Sequence, residues 1–173
     1  EGDRVFVWKS AYQIRLPFSK VRLVKTGVPR RGDVVVVRNP DGGSVPFVKR
    51  LIGLPGDEVQ MREGVLYING QAIPKVPAGE FLTEEDGAPP RRIPVFEETL
   101  PNGVKYKVLD SEPDGPYDNT APYKVPEGHY FMMGDNRDNS TDSRVRGAVG
   151  YVPLENFIGR AEIIFFSAAV DDP

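Results

Sequence analysis

Arg31-Gly32-Asp33-Val34-Val35-Val36-Val37 and Pro46-Phe47-Val48-Lys49-Arg50-Leu51-Ile52-Gly53-Leu54-Pro55-Gly56-Asp57 decide the class of fold. Four consecutive valines after a Gly-Asp turn read as a strand covered on both faces. The second stretch behaves differently. Side chains of a strand point to opposite faces in turn, so Phe47, Lys49 and Leu51 share one face and Val48, Arg50 and Ile52 the other. Each cation therefore lies between apolar neighbours, where a charge is costly.

Further apolar runs lie outward from these, at Val5 to Trp8, Val65 to Ile68, Tyr130 to Met133 and Ile163 to Phe166. All are short, rich in β-branched or aromatic residues and bounded by turn formers, which reads as strands. No stretch of ten or more residues keeps a helical period; the best helical candidate is Leu154-Glu155-Asn156-Phe157 after Pro153. The 18 glycines and 17 prolines make about a fifth of the chain, against roughly 12% ordinarily, which points to many turns. Residues 73–93 hold Pro74, Pro77, Pro89, Pro90 and the acidic run Glu84-Glu85-Asp86; residues 110–126 are similarly rich in Asp, Gly and Pro. Between them, Ile93 to Val108 reads as a hairpin about Pro101-Asn102-Gly103, an Asn-Gly turn signal. The expected fold is mostly β, with a core from 1–59 and 128–173 and a second β domain inserted at 60–127.

The chain has 173 residues and a mass of 19.2 kDa, enough for one domain or for a core with one sizeable insertion. Lys and Arg number 22, Asp and Glu 25, for a net charge of −3. This mild acidity argues against a general nucleic-acid binder. With no cysteine and a single histidine, His129, there can be no disulfide framework, cysteine nucleophile, Cys-ligated zinc or His-pair metal site. A Ser-His-Asp triad would have to use His129; at a strand entry, that residue reads as structural. No run approaches the ~20 apolar residues that span a bilayer, and no signal-peptide pattern is present.

Three segments could carry chemistry. Lys49 is the first: burial disfavours an ammonium, and lowering a lysine from about 10.4 to about 7 costs roughly 4.6 kcal/mol. The product is a neutral amine able to act as a general base. The plainer reading is an edge-strand lysine that reaches water. The second is Arg31-Gly32-Asp33, an adhesion-like tripeptide that reads more simply as a turn feeding a buried strand. Gly53-Leu54-Pro55-Gly56 is a tight turn without the Gly-Lys-Ser/Thr ending of a phosphate loop. The third is Gly134-Asp135-Asn136-Arg137-Asp138-Asn139-Ser140-Thr141-Asp142-Ser143-Arg144, a dense polar loop directly after a core strand. A calcium loop on Asp138, Ser140 and Asp142 lacks the Gly and Glu that an EF-hand needs. A solvated loop held by Asp-Arg pairs and a catalytic loop whose hydroxyl orients a nearby base both fit the spacing.

Together these segments resemble type I signal peptidases. The Gly-Asp strand at 31–37, Lys-Arg-x-x-Gly-x-Pro-Gly-Asp at 49–57 and Gly-Asp-Asn-Arg-Asp-Asn-Ser-x-Asp-Ser-Arg at 134–144 match that family's boxes in order. Gly2-Asp3-Arg4-Val5-Phe6-Val7, Gly150-Tyr151-Val152-Pro153 and Gly159-Arg160-Ala161 fit as well. The resemblance implies a signal-peptidase-like antiparallel β core with an inserted β domain. It implies a Ser/Lys serine endopeptidase that cleaves signal peptides from exported preproteins after small residues at P1 and P3. Lys49 takes the place of the general base and Ser140 that of the hydroxyl that orients it. Asp142 and Arg144 match the ion pair supporting the loop, with Arg50 nearby; Gly134 and Asp135 match positions that shape the site. Val36, Phe47 and Val48 match the lining of the P1 and P3 pockets. The implied partners are signal peptides and the lipid bilayer surface, with no nucleic acid, metal or cofactor. The implied place is the periplasmic or extracytoplasmic side of the bacterial inner membrane. Trp8 or Phe165-Phe166 reads either as core or as part of a bilayer-facing surface.

The family's nucleophile box, Ser-Met-x-Pro-Thr-Leu, does not occur in these 173 residues, and none of the seven serines has its context. The expectation is that this box and a membrane anchor lie upstream, and that the fragment alone is inactive. The alternatives are a non-catalytic homologue that binds signal peptides, and a Ser/Lys protease of another branch such as a self-cleaving repressor domain. The large insertion and the third box disfavour the latter.

Overall fold

A computed structural model describes residues 6–9, 11–15, 22–25, 27–38, 45–83 and 89–162. The described chain runs through β1 (Phe6–Trp8), β2 (Gln13–Arg15), β3 (Arg22–Lys25), β4 (Val34–Val37), β5 (Phe47–Gly53), β6 (Glu58–Arg62), β7 (Val65–Ile68) and β8 (Gln71–Ala72). It continues through β9 (Lys75–Thr83), β10 (Arg91–Thr99), β11 (Lys105–Leu109), β12 (Tyr123–Lys124), β13 (His129–Met133), β14 (Val152–Pro153) and β15 (Phe157–Glu162). The mostly-β expectation holds. The helical candidate after Pro153 is a single 3-10 turn, Leu154–Asn156. Among the described residues no helix is long and apolar enough to cross a membrane. The expected strand at Ile163 to Phe166, the opening Gly2-Asp3, the acidic run at 84–86 and Phe165-Phe166 lie outside the described residues.

Both ends of the described chain build a six-stranded sheet in the order β1-β15-β4-β5-β13-β14. The valine run is β4, held between β15 and β5, with Val35 and Val37 fully buried and Val36 nearly so. The middle of the chain forms two smaller sheets, β12-β6-β7-β8 and β11-β10-β9.

Strand alternation sorts the large sheet between two hydrophobic cores. Leu51, Tyr130 and Met132 pack into one with Val35, Val37 and Phe157. Their neighbours Ile52, Phe131 and Met133 pack into the other, with Val59, Met61, Leu66, Tyr106 and Val108 of the smaller sheets. Lys49 therefore shares the face of the first core, and Arg50 faces the smaller sheets.

The Asn-Gly hairpin forms as the sequence predicts. Its turn is closed by Leu100 N–H donating to the Val104 carbonyl at 2.9 Å, with Gly103 at φ +83°. The proline-rich stretch holds a surprise, because Lys75–Thr83 is a nine-residue strand. Pro77 is tolerated because β9 is the edge of its sheet, and the ladder skips Ala78 at a bulge beside it.

Candidate active site

The site begins where β13 ends. Strand β13 pairs with β5 only over Arg50 to Gly53, so beyond Met133 the chain leaves the sheet, and among the described strands the edge of Phe47 to Lys49 on that side is unpaired. Lys49 Nζ donates to Ser140 Oγ at 2.8 Å. It also lies 5.7 Å from the centroid of the Phe47 ring. Burial pushes the Lys49 ammonium below its ordinary pKa. The Asp142 and Asp135 charges pull it back up, and Arg144 opposes them. Desolvation is the larger effect.

Gly134 explains why Ser140 can come so close. A Cβ at residue 134 would lie 2.1 Å from Ser140 Oγ and 3.5 Å from Lys49 Nζ. No side chain can occupy that position without displacing the hydroxyl.

Two arginine–carboxylate forks brace this contact. Asp142 is fully buried and accepts from Arg144 Nε and Nη2, both at 2.9 Å. It also accepts the Gly134 N–H at 2.9 Å and so ties the two ends of the loop. Asp135 accepts from Arg50 Nε at 2.9 Å and Nη2 at 2.6 Å. The remaining Arg50 arm reaches the Gly32 carbonyl at 3.0 Å, and its guanidinium lies 4.3 Å from the Tyr106 ring centroid. Planar forks of this kind fix orientation as well as charge.

Gly134, Asp135, Ser140, Asp142 and Arg144 thus gather around Lys49 and Arg50. The expected pocket residues are arranged differently. Val36 and Val48 are direct cross-strand neighbours, so they share a face, and strand alternation places them opposite Lys49 and Phe47. Val48 is exposed and Val36 buried. Asp138 and Asp142 do not converge as a calcium loop would require. Asp138 accepts from Ser111 N–H, Ser111 Oγ and Glu112 N–H, while Asp142 is committed to Arg144. Trp8 is half exposed, with the Arg160 guanidinium 5.2 Å from its ring centroid.

Sequence reasoning missed a second buried fork. Arg137 donates to Glu98 Oε1 at 2.9 Å and Oε2 at 2.6 Å, and the Tyr106 hydroxyl donates to the same carboxylate at 2.5 Å. The signal was present. Phe96 and Glu98 share one face of β10, and Leu100 just beyond it continues the alternation, so Glu98 occupies a core position. Arg31 likewise pairs with Asp57 at 2.9 Å, across the turn at 54–57.

The site thus sets a half-buried lysine amine against a serine hydroxyl on a mostly β scaffold. The sequence profile described as "Signal peptidase, peptidase S26" matches residues 1–166. The chain belongs to this signal peptidase family. It is similar to the signal peptidase I of Rickettsia typhi (strain ATCC VR-144 / Wilmington), 47% identical over 98% of this chain and 67% of that one. Those of Rickettsia canadensis (strain McKiel) and Rickettsia bellii (strain OSU 85-389) are 46% and 41% identical. Each match covers 98% of this chain, and 67% and 62% of the relative respectively. A solved signal peptidase I from Enterococcus faecalis V583 is 28% identical, covering 77% of this chain and 96% of that chain at a TM-score of 0.43.

Proposed function

We propose that the complete protein is a serine endopeptidase that removes signal peptides from exported preproteins, with Lys49 as its general base. The observation that carries this reading is the 2.8 Å bond from Lys49 Nζ to Ser140 Oγ, made where burial favours the neutral amine. The nucleophile is a serine hydroxyl from a Ser-Met-x-Pro-Thr-Leu box ahead of Gly2-Asp3. Neutral Lys49 takes the hydroxyl proton as the oxygen attacks the scissile carbonyl, then returns it to the leaving amine as the acyl-enzyme forms. Water, deprotonated by the same lysine, releases the acyl group. Ser140 holds the amine in line, and the 173 residues without the box are inactive.

The substrate lies extended along the free edge of Phe47 to Lys49, as an added strand. Val36, Phe47 and Val48 border the small P1 and P3 side chains. Residues 1–59 and 128–173 form the catalytic core and 60–127 a non-catalytic insertion. The protein works at the surface of the bacterial inner membrane, on its extracytoplasmic side.

The test is cleavage of a model preprotein by the full-length protein and its Lys49→Met variant. A general base contributes about 10²–10⁴-fold, so the variant should lose at least that much with its fold intact. Wild-type cleavage by the variant would remove Lys49 from the chemistry. No cleavage by the wild-type protein, with retained signal-peptide binding, would instead favour a non-catalytic homologue.

A further inference from the structure

From β11, Tyr106 reaches a neighbour of each member of the Lys49–Ser140 pair, Arg50 directly and Arg137 through Glu98. Its ring lies under Arg50, the residue after Lys49, and its hydroxyl binds Glu98, which holds Arg137 three residues before Ser140. Glu98 is fully buried and lies directly across the β10–β11 ladder from Tyr106. From Arg137 the connection runs on through its main chain, whose carbonyl accepts Arg144 Nη2 at 2.6 Å. Arg144 holds Asp142, and Asp142 holds the Gly134 N–H.

The backbone repeats the link. Leu109 N–H donates to the Asp135 carbonyl at 2.8 Å, and Arg137 N–H to the Leu109 carbonyl at 2.9 Å. Arg137 Nε and Arg144 Nη1 are buried with no hydrogen-bond partner among the described residues.

We propose that Glu98 and Tyr106, on the inserted three-stranded sheet, are positioning residues for the Lys49–Ser140 pair, acting through Arg137 on the loop and Arg50 on β5. The inference rests on the reading of Lys49 as the base. Without the clamp, the loop carrying Ser140 can withdraw and admit water to the amine. The charged groups facing Lys49 are Asp142, Asp135 and Arg144. All three belong to the loop, so its retreat changes their field at the same time.

The experiment uses the full-length protein and reads kcat, KM and the pH profile of preprotein cleavage. Glu98→Gln strands a buried guanidinium and risks unfolding. The main variant is therefore Glu98→Met with Arg137→Met, because an apolar pair can replace a buried ion pair without loss of stability. It should melt near the wild-type temperature, while kcat falls about ten-fold or more and KM stays within about two-fold. Lys49 is active when neutral, and rehydration raises its pKa, so the acidic limb of the profile should move to higher pH. Tyr106→Phe keeps the ring under Arg50 and loses only the hydroxyl bond. It should show the same changes at about two- to five-fold in kcat. A stable double variant with the wild-type kcat and profile would reduce the clamp to a structural tie. If the double variant does not fold, an unchanged Tyr106→Phe profile overturns the proposal. Activity retained by Lys49→Met would defeat the underlying reading instead, so the two failures are distinguishable.

Discussion

The loop at 134–144 and the outer half of the β9–β10 ribbon use the same ingredients to opposite effect. Arg144 and Asp142 meet at 2.9 Å with side chains 1% and 0% exposed; Arg92 and Glu80 meet at 2.8 Å with side chains 75% and 56% exposed. Distance does not separate these pairs, but solvent does. In water the attraction is screened and the side chains lose entropy in pairing. In the interior the same pair cannot be opened without stranding a charge. The loop is therefore a rigid frame for Lys49, and the ribbon pair is an ordinary surface contact.

Asp142→Ala should break this comparison most strongly. It leaves Arg144 buried without its carboxylate and releases the Gly134 N–H, so chemical denaturation should show a loss of about 3–5 kcal/mol. A loss no larger than that of a surface variant would mean that water reaches Arg144. Gly134→Ala comes next, since its Cβ must displace Ser140 Oγ. Overpacking should cost about 1–3 kcal/mol, and cleavage should fall further than the fraction unfolded explains. Ser140→Ala removes only the hydroxyl; losing a bond of about 1.4 kcal/mol that orients the amine should slow cleavage roughly ten-fold, with a stability loss of no more than about 1.5 kcal/mol.

A smaller effect concerns pH and stability. The folded Lys49 has a depressed pKa, so between that value and its unfolded value the unfolded chain binds more protons. Stability then rises with pH through this window, and the full penalty is present below it. Lys49→Met should flatten that rise and be the more stable protein on the acidic side, as read by denaturation across a pH series. A wild-type curve that Lys49→Met reproduces would place the amine in bulk water. Smallest of all, Glu80→Ala and Arg92→Ala should leave the melting midpoint unchanged. A clear drop would mean that the ribbon pair is less hydrated than its exposure indicates.

The sequence exposed most of the frame because its signals are local. The period of two in Phe47 to Ile52 assigned Lys49 and Arg50 to opposite faces before any tertiary contact was known. The valine run of β4 announced burial, and Pro101-Asn102-Gly103 announced a turn. Strand β9 was hidden because Pro74 and Pro77 speak for turns, and only the edge position and the bulge at Ala78 excuse Pro77. The Glu98–Arg137 fork was hidden for a different reason. Glu97-Glu98 resembles a solvated pair, and the partner lies 39 residues away. Only the alternation of β10, with Glu98 between Phe96 and Leu100, betrayed it. Register sets Val36 and Val48 on one face and Phe47 on the other.

The reading of Lys49 as a base rests on burial beside Ser140 favouring its neutral amine. It is tested most directly by following the Lys49 side-chain NMR signals through a pH titration, assigned with Lys49→Met. The expected midpoint lies below the ordinary lysine value of about 10.4 and rises toward it in Glu98→Met with Arg137→Met. A wild-type Lys49 that titrates with the surface lysines would contradict it.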